Sequence, residues 1–324
     1  MNYSNIWYCK FLGVFLILLM ASLPAEAGDA GVTSAEVLRI GSGAARPAMD
    51  GAGVAAVRGP SSLQYNPAGL AFSRDRDIEF TYQELVEDIG YGNLDYTHKV
   101  DITGEEGVVG GGVRYLSYGS EDRTVFNSGN GDLERDGSFS SADVVFSAGY
   151  GETWNNDFSW GATLKLGRLE IDDESAGLMA LDLGMQWHSP DPELPLSAGI
   201  ILANLGPDVE FDSQGDDLPL LSRMGVSYDF ASQFEIPVQL HTDLEYQFES
   251  EETGLLVGGE WWALDQFVVR AGYDGNVDVD SGWTAGFGYR YDDNLSFDYG
   301  YIPYGEFDDL HKLAFTYRLG GANR

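Results

Sequence analysis

From about residue 77 onward the chain alternates, with apolar side chains at one parity and polar or very small ones at the other. Leu313, Phe315, Tyr317 and Leu319 alternate with Ala314, Thr316 and Arg318; Leu295, Phe297, Tyr299 and Tyr301 alternate with Ser296, Asp298 and Gly300. Met224, Val226, Tyr228 and Phe230 oppose Arg223, Gly225, Ser227 and Asp229, and Leu181, Leu183, Met185 and Trp187 oppose Asp182, Gly184, Gln186 and His188. Successive residues of a strand point to opposite faces, so each run predicts a strand with one apolar face and one polar or glycine face. Turn-forming clusters such as ETWNND, SPDPEL, YDGNVDVDSG and YDDN separate the runs. About fourteen runs can be counted, most reaching the roughly 9–11 residues that a membrane-crossing strand requires.

Two all-β architectures use such strands. A soluble sandwich hides its apolar faces against one another, whereas a transmembrane antiparallel barrel turns them to lipid and its polar faces to a wet lumen. Three observations favour the barrel. Full charges stand in mid-strand on the polar faces: Lys165, Asp229, Asp243, Glu245, Arg270 and Arg290. Tyr and Trp recur near segment ends, where a membrane interface favours amphipathic rings. The strands are similar and even in number. No repeat of fixed length marks a propeller or solenoid.

Residues 28–76 break the strand period. Thr33 to Ile40 (TSAEVLRI) predicts a short helix capped by Thr33 or Ser34. AMDGAGVAAV is small and apolar, suited to packing inside something, and YNPAGL follows it. Pro67 fixes its own φ and biases Asn66 to an extended shape, while Gly69 permits a sharp reversal. Inside a barrel the natural place for this segment is the lumen, as an N-terminal plug or hatch over 28–76, before a wall over 77–320 and a tail over 321–324. Asn66, Pro67, Ala68 and Gly69 then form either a gate that shifts when a ligand enters or a fixed turn that seats the plug.

The first residues read as a leader. Lys10 precedes the apolar run Phe11 to Leu23, and Ala25-Glu26-Ala27 supplies a cleavage site before Gly28, which describes a secretory signal peptide over 1–27. Cys9, the single cysteine, lies inside that leader, so disulfides are not what holds the fold. With 18 Lys plus Arg against 52 Asp plus Glu, the chain lacks the basic face that nucleic acid requires. Its 13 % aromatic content sets it apart from a disordered acidic tail.

Candidate chemistry is sparse. His241, Asp243 and Glu245 share one strand face, a spacing that could place a base beside carboxylates. The competing reading is a luminal ionic lattice joining these three and Asp229 to Lys165, Arg270, Arg290 and Arg318, with no enzymatic role. The acidic stretches DVEFDSQGDD, IDDES and NVDVD match no calcium loop by ligand spacing, so neither metal nor cofactor is expected.

SSLQYNPAGLA (Ser61 to Ala71), with the small-residue stretch before it, resembles the PorV/PorQ family of outer-membrane proteins, related to the FadL long-chain fatty acid transporters. LDLGMQW, SAGIILANLGPDVEF, LPLLSRMGVSYDF and FDYGYIPYGEFDDLHKLAFTYRL follow in the family's order. One departure stands out: Met49-Asp50-Gly51 occupies a place where the family usually reads M-G-G. The resemblance implies a fourteen-stranded outer-membrane barrel of Gram-negative bacteria, placed by the barrel assembly machinery among outer-membrane lipids, with a luminal plug. It implies passage of hydrophobic, fatty acid-like molecules, or docking of secreted cargo proteins in a type IX-like system. The first predicts an apolar pocket between plug and wall lined by Met49, Val54 and Val57. The second predicts that long loops such as Ser120 to Gly137 form a binding surface.

Overall fold

The computed structural model describes residues 34–319 except 86–88, 103, 128–131, 173, 212–213, 276–281 and 305–308. The expected signal peptide and the NVDVD stretch lie outside the described residues. Fourteen strands close one antiparallel barrel. They are β1 (Arg76–Glu84), β2 (Gly90–Ile102), β3 (Glu105–Asn127), β4 (Asp132–Thr153), β5 (Phe158–Ile171), β6 (Glu174–His188) and β7 (Leu196–Leu205), then, after a small hairpin of β8 (Val209–Phe211) and β9 (Gln214–Asp216), the remaining seven. Those are β10 (Leu221–Asp229), β11 (Val238–Gln247), β12 (Glu252–Leu264), β13 (Phe267–Asp274), β14 (Trp283–Arg290), β15 (Leu295–Ile302) and β16 (Leu310–Arg318). Each barrel strand pairs with its neighbour in sequence, and β1 closes on β16 with Phe80 opposite Phe315.

The alternation resolves as the sequence predicts. On β1, Asp77, Glu79, Thr81 and Gln83 are buried toward the lumen, while Phe80 and Tyr82 are exposed outward. On β16, Lys312, Ala314 and Thr316 face in, and Phe315 and Tyr317 face out. The outward row continues through Leu94, Phe146, Leu164, Met179, Leu183, Ile200, Met224, Leu240, Trp261 and Trp283, all exposed. So much bare apolar surface on a closed sheet is stable only against hydrocarbon, where a barrel satisfies every backbone group by inter-strand bonds. No described helix is long and apolar enough to cross a membrane; the strands do so. The end carrying Arg76, Arg318 and the short turns is periplasmic, and the end carrying the long hairpins is outer.

Three expectations need correction. Residues 34–40 do not form a capped α-helix, and Thr33 lies outside the described residues. Glu36–Leu38 is a single 3-10 turn entered through Ala35 in the left-handed region (φ 59°) with no side-chain cap. Ser34 spends its hydroxyl on the Asp217 carbonyl instead (3.2 Å), tying the N-terminal segment to the β8–β9 hairpin. Second, Ser120 to Gly137 is not a loop, because β3 and β4 run through most of it as a hairpin. β2 pairs with β3 only as far as Ser117, and β5 reaches β4 only at Ser141, so no described strand pairs with the hairpin's outer part, which an Arg123–Asp172 ion pair ties to the turn after β5. Third, the acidic stretch DVEFDSQGDD, which its charge predicts as a solvated loop, carries β8 (Val209–Phe211) and β9 (Gln214–Asp216), with Val209 fully buried.

Candidate functional site: the occupied lumen

Much of the chain between Gly41 and Phe72 packs against the inward faces of the wall strands, and the wall's glycines are the reason it fits. Inward-facing glycines stand on β3 to β7 and β12 to β15, where alternation alone asks only for something polar or small. A Cβ on Gly199 would stand 2.7 Å from Ala55 Cα, one on Gly258 2.8 Å from Met49 Cβ, and one on Gly151 2.7 Å from the Pro67 carbonyl oxygen. Gly161 and Gly272 leave still less room, against Pro67 and Met49. Contacts under 3 Å are closer than real Cβ atoms tolerate, so this arc of wall admits no other residue while the segment is in place.

The rest of the wall holds the segment by hydrogen bonds. Asp243 accepts from Gly53 N (2.8 Å) and Val54 N (2.9 Å). Thr81 Oγ1 accepts from Gly43 N (2.8 Å), Lys312 donates to the Gly41 carbonyl (2.6 Å), and Gln186 donates to the Val54 carbonyl (2.9 Å). Arg223 donates to the Gly51 carbonyl (2.9 Å) and pairs with Glu245. Each bond is worth about 0.5–1.5 kcal/mol net, and more where one partner is charged. Asp50, in place of the family's glycine, takes a left-handed conformation (φ 55°), which aspartate tolerates better than most residues.

Asn66 is fully buried with an extended backbone (φ −171°), as a residue before proline should be. Its side-chain oxygen accepts from Ala68 N (3.1 Å), capping a 3-10 helix over Pro67–Phe72. Its amide donates to the Val54 carbonyl (3.0 Å) and to the carbonyls of Met185 (3.2 Å) and Ile200 (3.4 Å), which are paired residues of β6 and β7. Gly69 has no positive φ. A Cβ there would press into the Val57 carbonyl and the Ser62 hydroxyl, so its smallness rather than its flexibility is what the turn uses.

The proposed ionic partners fall into two groups. Lys165 pairs with Asp182 (2.6 Å) and donates to Asn204 Oδ1 (2.7 Å). Arg270 pairs with Glu260 (3.0 Å) and Asp298 (2.6 Å), and Arg46 of the interior segment reaches Glu260 at 3.5 Å. Asp229, Arg290 and Arg318 sit instead at the periplasmic rim: Asp229 accepts from Ala231 N, Arg290 lies over the Trp262 ring, and Arg318 donates to the Asp293 carbonyl. The alternation could have pointed to Asp182, Arg223 and Glu260 as lattice members. Asn204 gave no such signal, because a β-bulge opposite Asp182 places it (φ 65°).

His241 meets Ser227 Oγ (2.8 Å) and, at 3.5 Å, Glu260. This is a serine, a histidine and a carboxylate in contact, but His241 is fully buried against Gly53, and Arg270 and Arg46 engage the carboxylate. The contact ties wall strands together. Among the described residues no three His, Cys, Asp or Glu side chains gather as a metal site.

A cavity of about 260 Å³ opens on the outer side of the segment, between Leu38 to Gly41, Gln64 and Tyr65 on one side and β5, β7, β10 and β11 on the other. Burial raises the Tyr65 phenol above its ordinary range, so it stays protonated. Met49, Val54 and Val57 do not line this cavity. Val54 packs behind it against Ile201, Ala203 and Leu221, and Met49 fills the glycine arc of β12 and β13. Above the cavity the lumen turns apolar: Leu116, Val145, Leu169, Ala176, Leu178 and Ala180 of the wall meet Val37 and Leu38 of the segment and Val209 and Leu218 of the β8–β9 connection. Leu38 belongs to both regions. A second cavity of about 170 Å³ lies on the periplasmic side, lined by Arg46, Arg58, Asp77, Glu79, Asp298 and Arg318 among others. Ser42 and Ser62, both fully buried, belong to the chain passes between the two.

Solved structures share this architecture. The Pseudomonas putida toluene transporter TodX superposes with a TM-score of 0.60 at 13 % identity, over 87 % of this chain and 99 % of that one. The CymD monoaromatic hydrocarbon channel gives 0.55 at 12 % identity over 87 % and 99 %. A Pseudomonas aeruginosa FadL homologue gives 0.51 at 14 % identity over 91 % and 98 %. At such identities the likeness establishes the fold, that of a FadL-like outer-membrane β-barrel. The family described as "Type IX secretion system protein PorV" matches residues 25–246, and the chain belongs to that family. No curated protein matches the sequence. The fold neighbours are transporters and channels, not enzymes.

Proposed function

We propose that this outer-membrane barrel passes small hydrophobic molecules, with residues 34–75 as its plug and Asn66 to Gly69 as the anchor that seats it. The apolar outer mouth carries the reading. Water-facing luminal walls are polar by rule, yet here Leu169, Ala176 and Leu178 line the lumen and meet Val37 and Leu38 directly above the outer cavity. These side chains are packed on one another, so an apolar solute arriving from the cell exterior would part apolar contacts rather than polar ones to reach the cavity. The toluene and hydrocarbon transport of the structural neighbours agrees with such a route. Passage to the periplasmic cavity then requires the strap at Gly41–Gly43 to move, since it is bound to Lys312 and Thr81.

Placing charge in the mouth tests this. Val37→Arg combined with Leu218→Arg should lower accumulation of a radiolabelled alkylbenzene by cells roughly tenfold, with barrel yield and heat-modifiable gel mobility unchanged. Undiminished accumulation would remove the lumen as the route. A second reading, docking of a secreted protein, draws on the family's description and on the β3–β4 hairpin, whose outer part pairs with no described strand.

A further inference from the structure

The reading of the lumen as a small-molecule route leaves the solute's chemistry open, and the outer cavity narrows it. We infer that this cavity selects small amphiphiles whose head group donates hydrogen bonds, such as an alcohol, phenol or amine, over those bearing a carboxylate. The inference rests on the transport reading and goes beyond it.

Leu38, Ile201, Ala203 and Leu221 supply the apolar part of the cavity's lining. Two of the three lining cations are already engaged. Lys165 Nζ is held by Asp182 (2.6 Å) and Asn204 (2.7 Å). Arg223 uses Nε on Glu245 (2.8 Å) and a terminal nitrogen on the Gly51 carbonyl (2.9 Å). Arg39, the third lining cation, lies 3.6 Å from Glu36 at the exposed edge of the cavity, too far for a hydrogen bond. The Gln247 amide donates to Glu245 (3.1 Å).

The acceptors are in the opposite condition. Gln64 Oε1, Gln247 Oε1 and Glu249 Oε2 are buried without a hydrogen-bond partner in the protein, and all three residues line the cavity. The other Glu249 oxygen takes only the Leu220 amide (3.1 Å). No basic side chain among the described residues forms an ion pair with Glu249. These oxygens are closed to solvent as the cavity stands, so a head group reaches them only as the three side chains turn toward it; a carboxylate would meet the Glu249 charge, with Lys165 and Arg223 occupied and only the exposed Arg39 open to it. A donor head would satisfy groups that are costly to leave unpaired. The volume, below the roughly 300–1,000 Å³ of drug-sized pockets, suits a single-ring molecule rather than a long alkyl chain.

The test uses one body with four ends: 3-phenylpropan-1-ol, 3-phenylpropylamine, 3-phenylpropanoate and propylbenzene, titrated calorimetrically into the protein in lipid nanodiscs. The alcohol and amine should bind, with the carboxylate weaker by roughly tenfold or more. Glu249→Gln should weaken the amine and leave the alcohol within about twofold, a charge effect. Ala203→Phe should fill the cavity and abolish both, with heat-modifiable mobility kept as the sign of a closed barrel. A carboxylate that binds as well as the alcohol, failure of all four to bind, or binding untouched by Ala203→Phe overturns the inference. Propylbenzene binding as tightly as the alcohol also overturns it, while leaving the passage of hydrophobic solutes intact. That passage stands or falls separately, on the arginine variants of the mouth.

Discussion

Asn66 joins three parts of the molecule through one amide: the turn that follows it, the interior segment at Val54, and the wall at the Met185–Ile200 pair. Asn66→Ala would leave these buried groups unbonded, at about 2–3 kcal/mol of the segment's docking free energy. Amide exchange across residues 53–70 should then quicken by roughly a hundredfold, while exchange in β13 to β16 stays as it was. Equal exchange in variant and wild type would show that the glycine arc alone seats the segment. The sequence made this residue visible through the proline after it, which dictates an extended backbone. Its partners on the wall, the Met185 and Ile200 carbonyls, were invisible, because they belong to residues whose side chains face lipid. Gly69 misled for a related reason: turn chemistry suggests a left-handed glycine, whereas tight packing against Val57 is what excludes a side chain.

At the scale of the strand, glycine has two distinct uses in this wall. Gly199 lies under Ala55, but Gly177 on β6 has nothing within 4 Å of the place its Cβ would take. Gly199→Leu should therefore push the segment from the wall and raise single-channel conductance in planar bilayers, whereas Gly177→Leu should leave conductance at the wild-type level. If both conduct alike, the segment does not limit the pore. Strand positions were legible because period-two alternation is strong wherever one face meets lipid and the other water. The outer halves of β5 and β6 were harder to read. LMALDLG is apolar at both parities, and only the fold shows that Leu178 and Ala180 face a hydrophobic mouth while Met179 and Leu181 face lipid. A bulge such as that at Asn204 depends on its neighbours across the ladder, which no local pattern encodes.

At the scale of the whole molecule the wall is uneven. β3 and β4 run 23 and 22 residues, against 8 in each of β13, β14 and β15, so one side stands well above the opposite rim. Removing residues 120–137 takes away pairing that neither β2 nor β5 shares. The shortened chain should still give a heat-modifiable barrel and take up hydrophobic solute at the wild-type rate. Loss of a co-purifying secreted protein with uptake intact would assign the hairpin to docking, and loss of uptake would assign it to the route.

The path of the interior segment sets an order on biogenesis. From Ser34 beside Asp217 at the outer mouth, the chain descends through the lumen to Arg76, where β1 begins alongside the last residues of β16. A ring already joined could not be threaded from below by forty residues packed this tightly against it. The order this packing predicts is that the hairpins gather around the segment as a template and the β1–β16 seam joins last. Substitutions along the glycine arc should consequently act twice, once on permeability in the finished barrel and earlier on whether nascent chains reach closure at all.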